Sequence, residues 1–204
     1  MEQENQFQQS NQQKSNIFKS ELWDIIKTII VFALIYFSIK GYVAQPFLVK
    51  GRSMEQTFSD GDYLIVDQLT YNFSEPKRSE VIVFHTEFIP GGSEREYYIK
   101  RVIGIPGDRV VIKYGEVILY ENNSSLPQTL DEEYIIDGLK TLSQDTVDVI
   151  LKENQYFVLG DNRGNSSDSR YWGPVDKKYI VGKPFIRLFP FNTITLFNNK
   201  GINE

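Results

Sequence analysis

The chain has no cysteine and only one histidine among its 204 residues. The lack of cysteine excludes thiol catalysis, thiolate metal sites and disulfide bonds, but a reducing cytosol and an outer surface both remain compatible with it. His85 ends a predicted strand, where a lone histidine usually has a structural role. A serine nucleophile in this chain is therefore expected to use a base other than imidazole.

A basic surplus is also lacking, because 22 Lys and Arg stand against 27 Asp and Glu, for a formal net charge of -5. Binding nucleic acid through a whole domain requires a basic face that neutralises phosphates, so we expect no nucleic-acid partner. The acidic surplus lies beyond residue 43. If the residues beyond position 43 contact a membrane, we expect apolar surface to make that contact, because their net negative charge does not favour anionic lipid.

Long apolar runs are scarce, and the one that stands out lies near the N-terminus. Its uninterrupted part, Thr28–Ile39, has 12 residues, which also fits a buried helix or the apolar region of a signal peptide. As a helix, the mostly apolar Leu22–Val43 would span about 33 Å, close to the thickness of a hydrocarbon core. No small-x-small pair ends the run, which disfavours a cleaved signal. We predict a retained transmembrane anchor over residues 21–43, after a flexible tail over residues 1–20 that is rich in Gln, Asn and Ser.

Beyond the predicted anchor, the dominant signal is a series of short strands bounded by Gly, Pro, Asn and Asp. The predicted strands are Tyr63–Asp67, Glu80–Phe84, Tyr97–Ile103, Arg109–Lys113, Glu116–Tyr120, Tyr156–Leu159, Ile180–Phe189 and Thr193–Phe197. Helix signals are scarce, so we predict a mainly β domain over residues 44–204 with a bent or barrel-like antiparallel sheet. The polar and acidic residues 121–152 predict an insertion or a small subdomain.

Lys100 is the candidate base for Ser53, which follows the predicted anchor. A lysine with a pKa near ~10.4 is neutral in only about one molecule in 2,500 at pH ~7, and lowering that pKa by about three units costs roughly 4 kcal/mol. Burial can supply this, and Lys100 lies among apolar residues of a predicted strand, with Arg101 directed to the opposite face. Taken singly, Ser53 also fits a turn residue and the pair Lys100-Arg101 fits an edge strand. Residues 160–170 alone would fit a solvated loop.

Three motifs, taken together and in this order, resemble those of the type I signal peptidases. They are Gly51-Arg52-Ser53-Met54, then Tyr98-Ile99-Lys100-Arg101-Val102-Ile103-Gly104-Ile105-Pro106-Gly107-Asp108, then Gly160-Asp161-Asn162-Arg163-Gly164-Asn165-Ser166-Ser167-Asp168-Ser169-Arg170. The resemblance covers the predicted anchor and the β domain. It implies a membrane-bound serine endopeptidase that removes signal peptides from exported preproteins by cutting after small residues of the Ala-x-Ala type. Ser53 would be the acylating nucleophile and Lys100 the general base, with no metal ion or organic cofactor.

The resemblance also implies supporting roles. Ser166 matches a serine that hydrogen-bonds the lysine amine, and the backbone N–H of Ser53 would serve the oxyanion hole. Charge-assisted hydrogen bonds would hold the loop through Asp161, Arg163, Asp168 and Arg170. Two shallow apolar pockets, for the substrate residues one and three before the cut, would be lined by Phe47, Val49, Met54, Tyr98 and Ile99.

Two positions depart from the family pattern. Gly51 stands where some relatives have a serine hydroxyl, which leaves the second oxyanion donor open. Gln56 stands where the family usually has proline, in Ser-Met-x-Pro-Thr, and we expect lower rigidity or a shifted substrate preference rather than loss of activity.

The predicted single anchor and the short chain resemble the Gram-positive members of the family. That resemblance implies one pass through the cell membrane, with a cytoplasmic N-terminus and an extracytoplasmic catalytic domain, because the lysines on both sides of the anchor leave its orientation undecided. One alternative, a self-cleaving Ser-Lys repressor, is disfavoured by the predicted anchor. Another is a catalytically weak or inactive paralogue that binds exported peptides.

Overall fold

The computed structural model describes residues 21–36, 44–130, 132, 134–135, 141 and 146–197. The chain divides into two units, Met1–Val43 and Ala44–Glu204. In the first unit, residues 21–36 are helical (α1), and their apolar side chains are mostly exposed. Within the described ranges, no helix combines the length and apolarity needed to cross a bilayer. The predicted tail, residues 1–20, and the end of the predicted anchor, residues 37–43, lie outside the described residues.

The second unit consists mainly of antiparallel strands, which confirms the predicted mainly β class. Its strands are β1 Ala44–Leu48, β2 Tyr63–Asp67, β3 Val81–His85, β4 Tyr97–Gly104, β5 Arg109–Lys113, β6 Glu116–Tyr120, β7 Gln128–Thr129, β8 Val147–Ile150, β9 Gln155–Leu159, β10 Val175–Asp176, β11 Ile180–Phe189 and β12 Thr195–Leu196. A short helix, α2, spans Ser169–Trp172. Single 3-10 turns lie at Thr70–Asn72, Glu121–Asn123, Arg163–Asn165, Lys177–Tyr179 and Phe191–Thr193.

The larger sheet has eight strands in the order β1-β2-β11-β3-β4-β9-β10, with β12 added on β11. Register shifts interrupt the pairing of β11 with β2 and with β3, and that of β4 with β9. Such irregularities bend strands and increase their twist. In a flat sheet β1 and β4 would lie about 19 Å apart at ~4.8 Å per strand. The rings of Phe47 in β1 and Tyr97 in β4 are only 5.0 Å apart, so the sheet curls and brings these two strands to opposite sides of a cleft.

The smaller sheet has four strands in the order β7-β6-β5-β8 and packs on the β4 and β9 side of the larger one. Alternate residues of β5 and β6, such as Val110 and Leu119, are buried against Ile103 of β4 and Phe157 of β9. Two of its strands, β7 and β8, come from residues 121–152, which sequence reasoning treated as an interruption of the β pattern. Part of this range therefore belongs to the β framework, and its outer limits as an insertion stay a prediction.

Candidate active site

Ser53 and Lys100, which are 47 positions apart in the sequence, meet at the cleft. Ser53 lies in the turns between β1 and β2, and Lys100 lies in β4. Lys100 Nζ is 2.8 Å from Ser53 Oγ, and it also donates a hydrogen bond of 3.0 Å to the carbonyl oxygen of Ile99. A nucleophile and a base at this distance can exchange a proton directly.

Lys100 is only 3% exposed and lies in β4, which pairs with β3 on one side and with β9 on the other. Its neighbours on one face include the fully buried Ile82 of β3 and the ring of Tyr98, whose centroid is 5.0 Å from Nζ. Burial lowers the pKa of Lys100 from 10.5 to about 8, while the carboxylates of Asp168 and Asp161 partly oppose this. With this pKa, roughly one lysine in eleven is neutral at pH 7, compared with about one in 3,000 at the ordinary value.

The loop after β9 forms the wall behind Ser53. The backbone N–H of Asn162 donates to the carbonyl oxygen of Ser53 at 3.0 Å, and the Asn162 side chain donates to the carbonyl oxygen of Arg52 at 3.0 Å. Gly160 is required for this close approach, since a Cβ atom there would lie 2.6 Å from Ser166 Cβ and against the Ser53 carbonyl oxygen. The position of the nucleophile is therefore fixed by the loop after β9, through two hydrogen bonds from Asn162 and the close approach of Gly160.

Buried ion pairs hold the loop of residues 160–170. A solvated loop, which the sequence of these residues alone would also fit, is therefore wrong. Arg101 donates to both carboxylate oxygens of Asp161, at 2.8 and 2.7 Å. Arg170 donates to both oxygens of Asp168 at 2.8 Å, and also to the carbonyl oxygen of Arg163. All four side chains of these pairs are at most 4% exposed. Such charge-assisted pairs fix geometry strongly when they are removed from water.

Two contacts of this scaffold were missed by sequence reasoning. The Thr57 hydroxyl donates to Asp161 and accepts a hydrogen bond from Arg101 at 3.0 Å. Glu132 pairs with Arg163, whose Nε donates to the carbonyl oxygen of Gly160 at 3.0 Å. Glu132 stands in an acidic stretch, Asp131-Glu132-Glu133, and nothing in that stretch distinguishes it from its neighbours.

Two predicted residues differ in detail from their expected surroundings. Ser166 is buried near Gly160, but its Oγ has no hydrogen-bond partner among the described residues. Its contact with the Lys100 amine therefore stays a prediction. Met54 is 1% exposed, and its sulfur accepts a hydrogen bond of 3.4 Å from the Asp161 backbone. Its contact with substrate also stays a prediction, because it is not among the residues that line the cleft.

The cleft beside Ser53 and Lys100 has a volume of about 800 Å³. Four of the predicted pocket residues line it, namely Phe47, Val49, Tyr98 and Ile99. The lining that sequence reasoning missed comprises Leu48, Lys50, Gly51, Arg52, Leu64, Val83, Arg95, Glu96, Tyr97, Asn165 and Ser167. Within the described ranges, no group of three or more His, Cys, Asp and Glu side chains could hold a metal ion.

The backbone N–H of the nucleophile itself is an available donor. Gly51 has a φ of 88° and its N–H donates to Asp60 at 2.7 Å, so this N–H is already occupied. The N–H of Ser53 has no acceptor among the described residues. Beside Ser53 Oγ it can therefore stabilise developing negative charge on a carbonyl oxygen.

Comparison with known proteins identifies the family of this chain. Residues 22–189 match the family described as signal peptidase, peptidase S26. The chain belongs to the S26 signal peptidase family. It is 31% identical over 202 residues to a probable signal peptidase I-2 of Synechocystis sp., covering 98% of this chain and 88% of that protein. It is 34% identical over 191 residues to a signal peptidase I of Bacillus licheniformis, covering 90% and 97% of the two chains.

A crystal structure of a signal peptidase I from Enterococcus faecalis is similar to 54% of this chain and 97% of its own, with 25% identity and a TM-score of 0.41. The family match makes this S26 protein a serine endopeptidase of the signal peptidase I type. Membership of the S26 family also argues against one alternative, because a self-cleaving Ser-Lys repressor does not account for a signal peptidase match over residues 22–189.

Proposed function

We propose that this protein removes N-terminal signal peptides from exported preproteins with Ser53 as nucleophile and Lys100 as general base. The observation that carries the proposal is the 2.8 Å separation of Lys100 Nζ and Ser53 Oγ at a lysine that is 3% exposed. An ordinary surface lysine next to a serine would stay protonated at neutral pH and could not accept the hydroxyl proton. Burial and proximity together support the serine–lysine chemistry.

In the first step, neutral Lys100 accepts the Ser53 hydroxyl proton while Oγ attacks the scissile carbonyl carbon. The carbonyl oxygen becomes an oxyanion, which accepts a hydrogen bond from the Ser53 N–H. The protonated lysine then gives its proton to the leaving amine, the C–N bond breaks, and an acyl-enzyme remains on Ser53. A water molecule, deprotonated by the neutral lysine, attacks this ester, and the proton returns to Ser53 as the signal peptide leaves.

The energetic demand on Lys100 is modest at this site. Neutralising a lysine with a pKa of about 8 at pH 7 costs about 1 kcal/mol, against about 5 kcal/mol for a pKa of 10.5. The lower pKa therefore increases the fraction of neutral Lys100 at pH 7 by roughly 300-fold. The fold supplies this increase in advance by excluding water from the amine.

The cleft supports a preference for an extended peptide with small residues. β1 pairs with β2 on one side only, so its other edge has backbone groups available for an added strand. Phe47 and Tyr97 meet edge to face across the cleft, and together with Val49 and Ile99 they leave shallow apolar surface. Steric limits of this kind reject large side chains more strongly than they discriminate among small ones. We therefore propose cleavage after motifs of the Ala-x-Ala type.

We further propose that residues 21–43 anchor the protein in the cell membrane, with the N-terminus cytoplasmic and the catalytic domain outside. The apolar composition of this segment supports the anchor. In the β domain, Leu48, Tyr63 and Phe189 are opposite one another on three adjacent strands and are 39 to 54% exposed. The ring of Phe191 is 5.4 Å from that of Phe189, and Phe191, Ile194 and Leu196 are also exposed. Flotation of the full-length protein with phosphatidylcholine vesicles tests the anchor, and recovery in the unbound fraction would contradict it.

The decisive experiment is cleavage of a preprotein by the purified full-length protein in detergent. Ser53→Ala and Lys100→Ala should each abolish cleavage while the circular dichroism spectrum stays that of the wild type. Matched controls are Ser125→Ala and Lys113→Ala, which change exposed residues outside the cleft and should cleave normally. A folded wild type that binds the preprotein without cutting it would instead favour the inactive paralogue.

A further inference from the structure

The connection between β7 and β8 reaches the buried arginines of the active-site scaffold. Arg163 donates to both carboxylate oxygens of Glu132, with a distance of 3.1 Å for Nη1, and Nη1 also donates to the Thr141 hydroxyl. The Tyr134 ring covers the guanidinium of Arg101 with 4.0 Å between its centroid and Cζ. The Tyr134 hydroxyl donates to Glu132 at 3.0 Å, which joins the two contacts into one unit.

Both arginines act on the residues that hold the catalytic pair. Arg163 Nε donates to the carbonyl oxygen of Gly160, and two residues later the Asn162 N–H holds the Ser53 carbonyl oxygen. Arg101 follows Lys100 directly in β4 and binds Asp161 through two hydrogen bonds. A displacement of the Arg163 guanidinium would therefore reach Ser53 through Gly160 and Asn162, and a displacement of Arg101 would reach Lys100 through the backbone of β4.

The charge balance of the scaffold also depends on this segment. Arg101 and Arg170 pair with Asp161 and Asp168, which belong to the loop itself. The Arg163 side chain is fully buried, and its ion pair in the described part of the chain is with Glu132. A buried guanidinium that loses its carboxylate must find water or another acceptor, and this requires movement of the loop that carries it.

We propose that Glu132 and Tyr134 are positioning residues for the reaction, holding Arg163 and Arg101 so that the loop 160–166 fixes Ser53 next to Lys100. This inference rests on the proposed serine–lysine chemistry. Neither residue lines the cleft, so we expect their substitution to change kcat more than KM.

The test uses the full-length protein in detergent and the kinetics of preprotein cleavage. Glu132→Gln retains the size of the side chain and removes its charge, and we expect kcat to fall at least about tenfold with KM changed less than about twofold. Glu132→Asp keeps the charge on a shorter side chain and should recover part of that loss. The matched control is Asp148→Asn, which removes the carboxylate of an exposed ion pair with Arg109 and should retain the wild-type kcat.

Foldedness is measured alongside by circular dichroism and thermal unfolding, and kcat is expressed per folded molecule. If Glu132→Gln does not fold, Tyr134→Phe decides the question, because it keeps the ring over Arg101 and removes only the hydrogen bond to Glu132. We expect this variant to fold and to lose about threefold in kcat, because Glu132 keeps its ion pair with Arg163 and loses one neutral hydrogen bond.

The inference is overturned if folded Glu132→Gln has the wild-type kcat, if its defect lies in KM alone, or if Glu132→Asp is no better than Glu132→Gln. Where Tyr134→Phe has to decide, an unchanged kcat overturns it. An inactive wild type would refute the proposed function instead. An active wild type that needs Ser53 but tolerates Glu132→Gln would refute only the positioning role.

Discussion

The pH dependence of cleavage tests the central assumption, that Lys100 acts in its neutral form. With a pKa of about 8, kcat/KM should fall about tenfold per pH unit well below pH 8 and level off above it. Between pH 8 and pH 6 the neutral fraction decreases from about one half to about one in a hundred, so we expect a loss of about 50-fold. The assay is cleavage of a preprotein at concentrations far below KM, with enzyme stability checked at each pH.

If kcat/KM continued to rise tenfold per pH unit up to pH ~10, the amine would have its ordinary pKa, and the proposed base would be wrong. A flat profile between pH 6 and pH 9 would refute it as well. The chain offers a useful simplification, since its one histidine, His85, lies outside the cleft lining. A change of slope near pH 8 in the profile of kcat/KM would then be assigned to Lys100.

The same pKa shift has a consequence for stability that is independent of catalysis. Because the folded-state pKa is lowered, the unfolded chain binds more protons between about pH 8 and pH 10.5, and the contribution of Lys100 to stability rises with pH in that window. Below pH 8 the fold bears the full cost of about 3 kcal/mol, and at pH 9.5 about 1 kcal/mol remains. Lys100→Met should therefore be inactive yet up to about 3 kcal/mol more stable at pH 7, with a smaller gain at pH 9.5. Urea unfolding at the two pH values measures this, and an equal or opposite effect would contradict burial of the amine.

Three further predictions concern the scaffold. Gly160→Ala should lower both the urea midpoint and kcat, because its Cβ would overlap Ser166 and the Ser53 carbonyl oxygen; wild-type values for both would show that the loop can move away. Asp161→Asn leaves the buried Arg101 without its carboxylate and should cost about 3 kcal/mol or more in unfolding free energy, whereas Asp148→Asn should cost less than about 1 kcal/mol. Gln56→Pro should be tolerated, with kcat/KM within about threefold of the wild type, since the Gln56 N–H has no acceptor in the described structure and proline removes no hydrogen bond there. A large loss of activity would show that the turn does not accept the backbone restriction of proline.

The mainly β fold could be predicted because most strands carry a local signal. β2, β5, β6 and β11 have the bounds that their alternation and flanking turns predict. β1 was missed because Pro46 lies in its middle, and proline is compatible with a strand only at an edge such as the one β1 occupies. β7 and β10 have two residues each, too few for any periodicity. The curl of the larger sheet depends on register shifts between strands distant in sequence, and no local pattern encodes those.

The site shows the same division between local and distant information. Ser53, Lys100 and the charged loop could be predicted because each lies in a short motif. In the structure, Lys100 contacts Ser53, and the Asp161 N–H contacts the sulfur of Met54, the residue after Ser53. Glu132 and Thr57 carry no motif that marks them. Their partners, Arg163 and Arg101, are visible in the sequence, but which carboxylate or hydroxyl meets each guanidinium depends on packing across the domain.

A common physical requirement links the predicted and the missed residues. Lowering the pKa of Lys100 needs an environment with little water, and in that environment the arginines that hold the loop must each have a carboxylate. The two carboxylates of the loop, Asp161 and Asp168, neutralise two of the three arginines, while they also raise the pKa of Lys100 and so oppose its activation. The third carboxylate, Glu132, comes from outside the motif and is not among the groups that raise the pKa of Lys100. A distant carboxylate can thus complete the charge balance of the scaffold without returning a proton to the base.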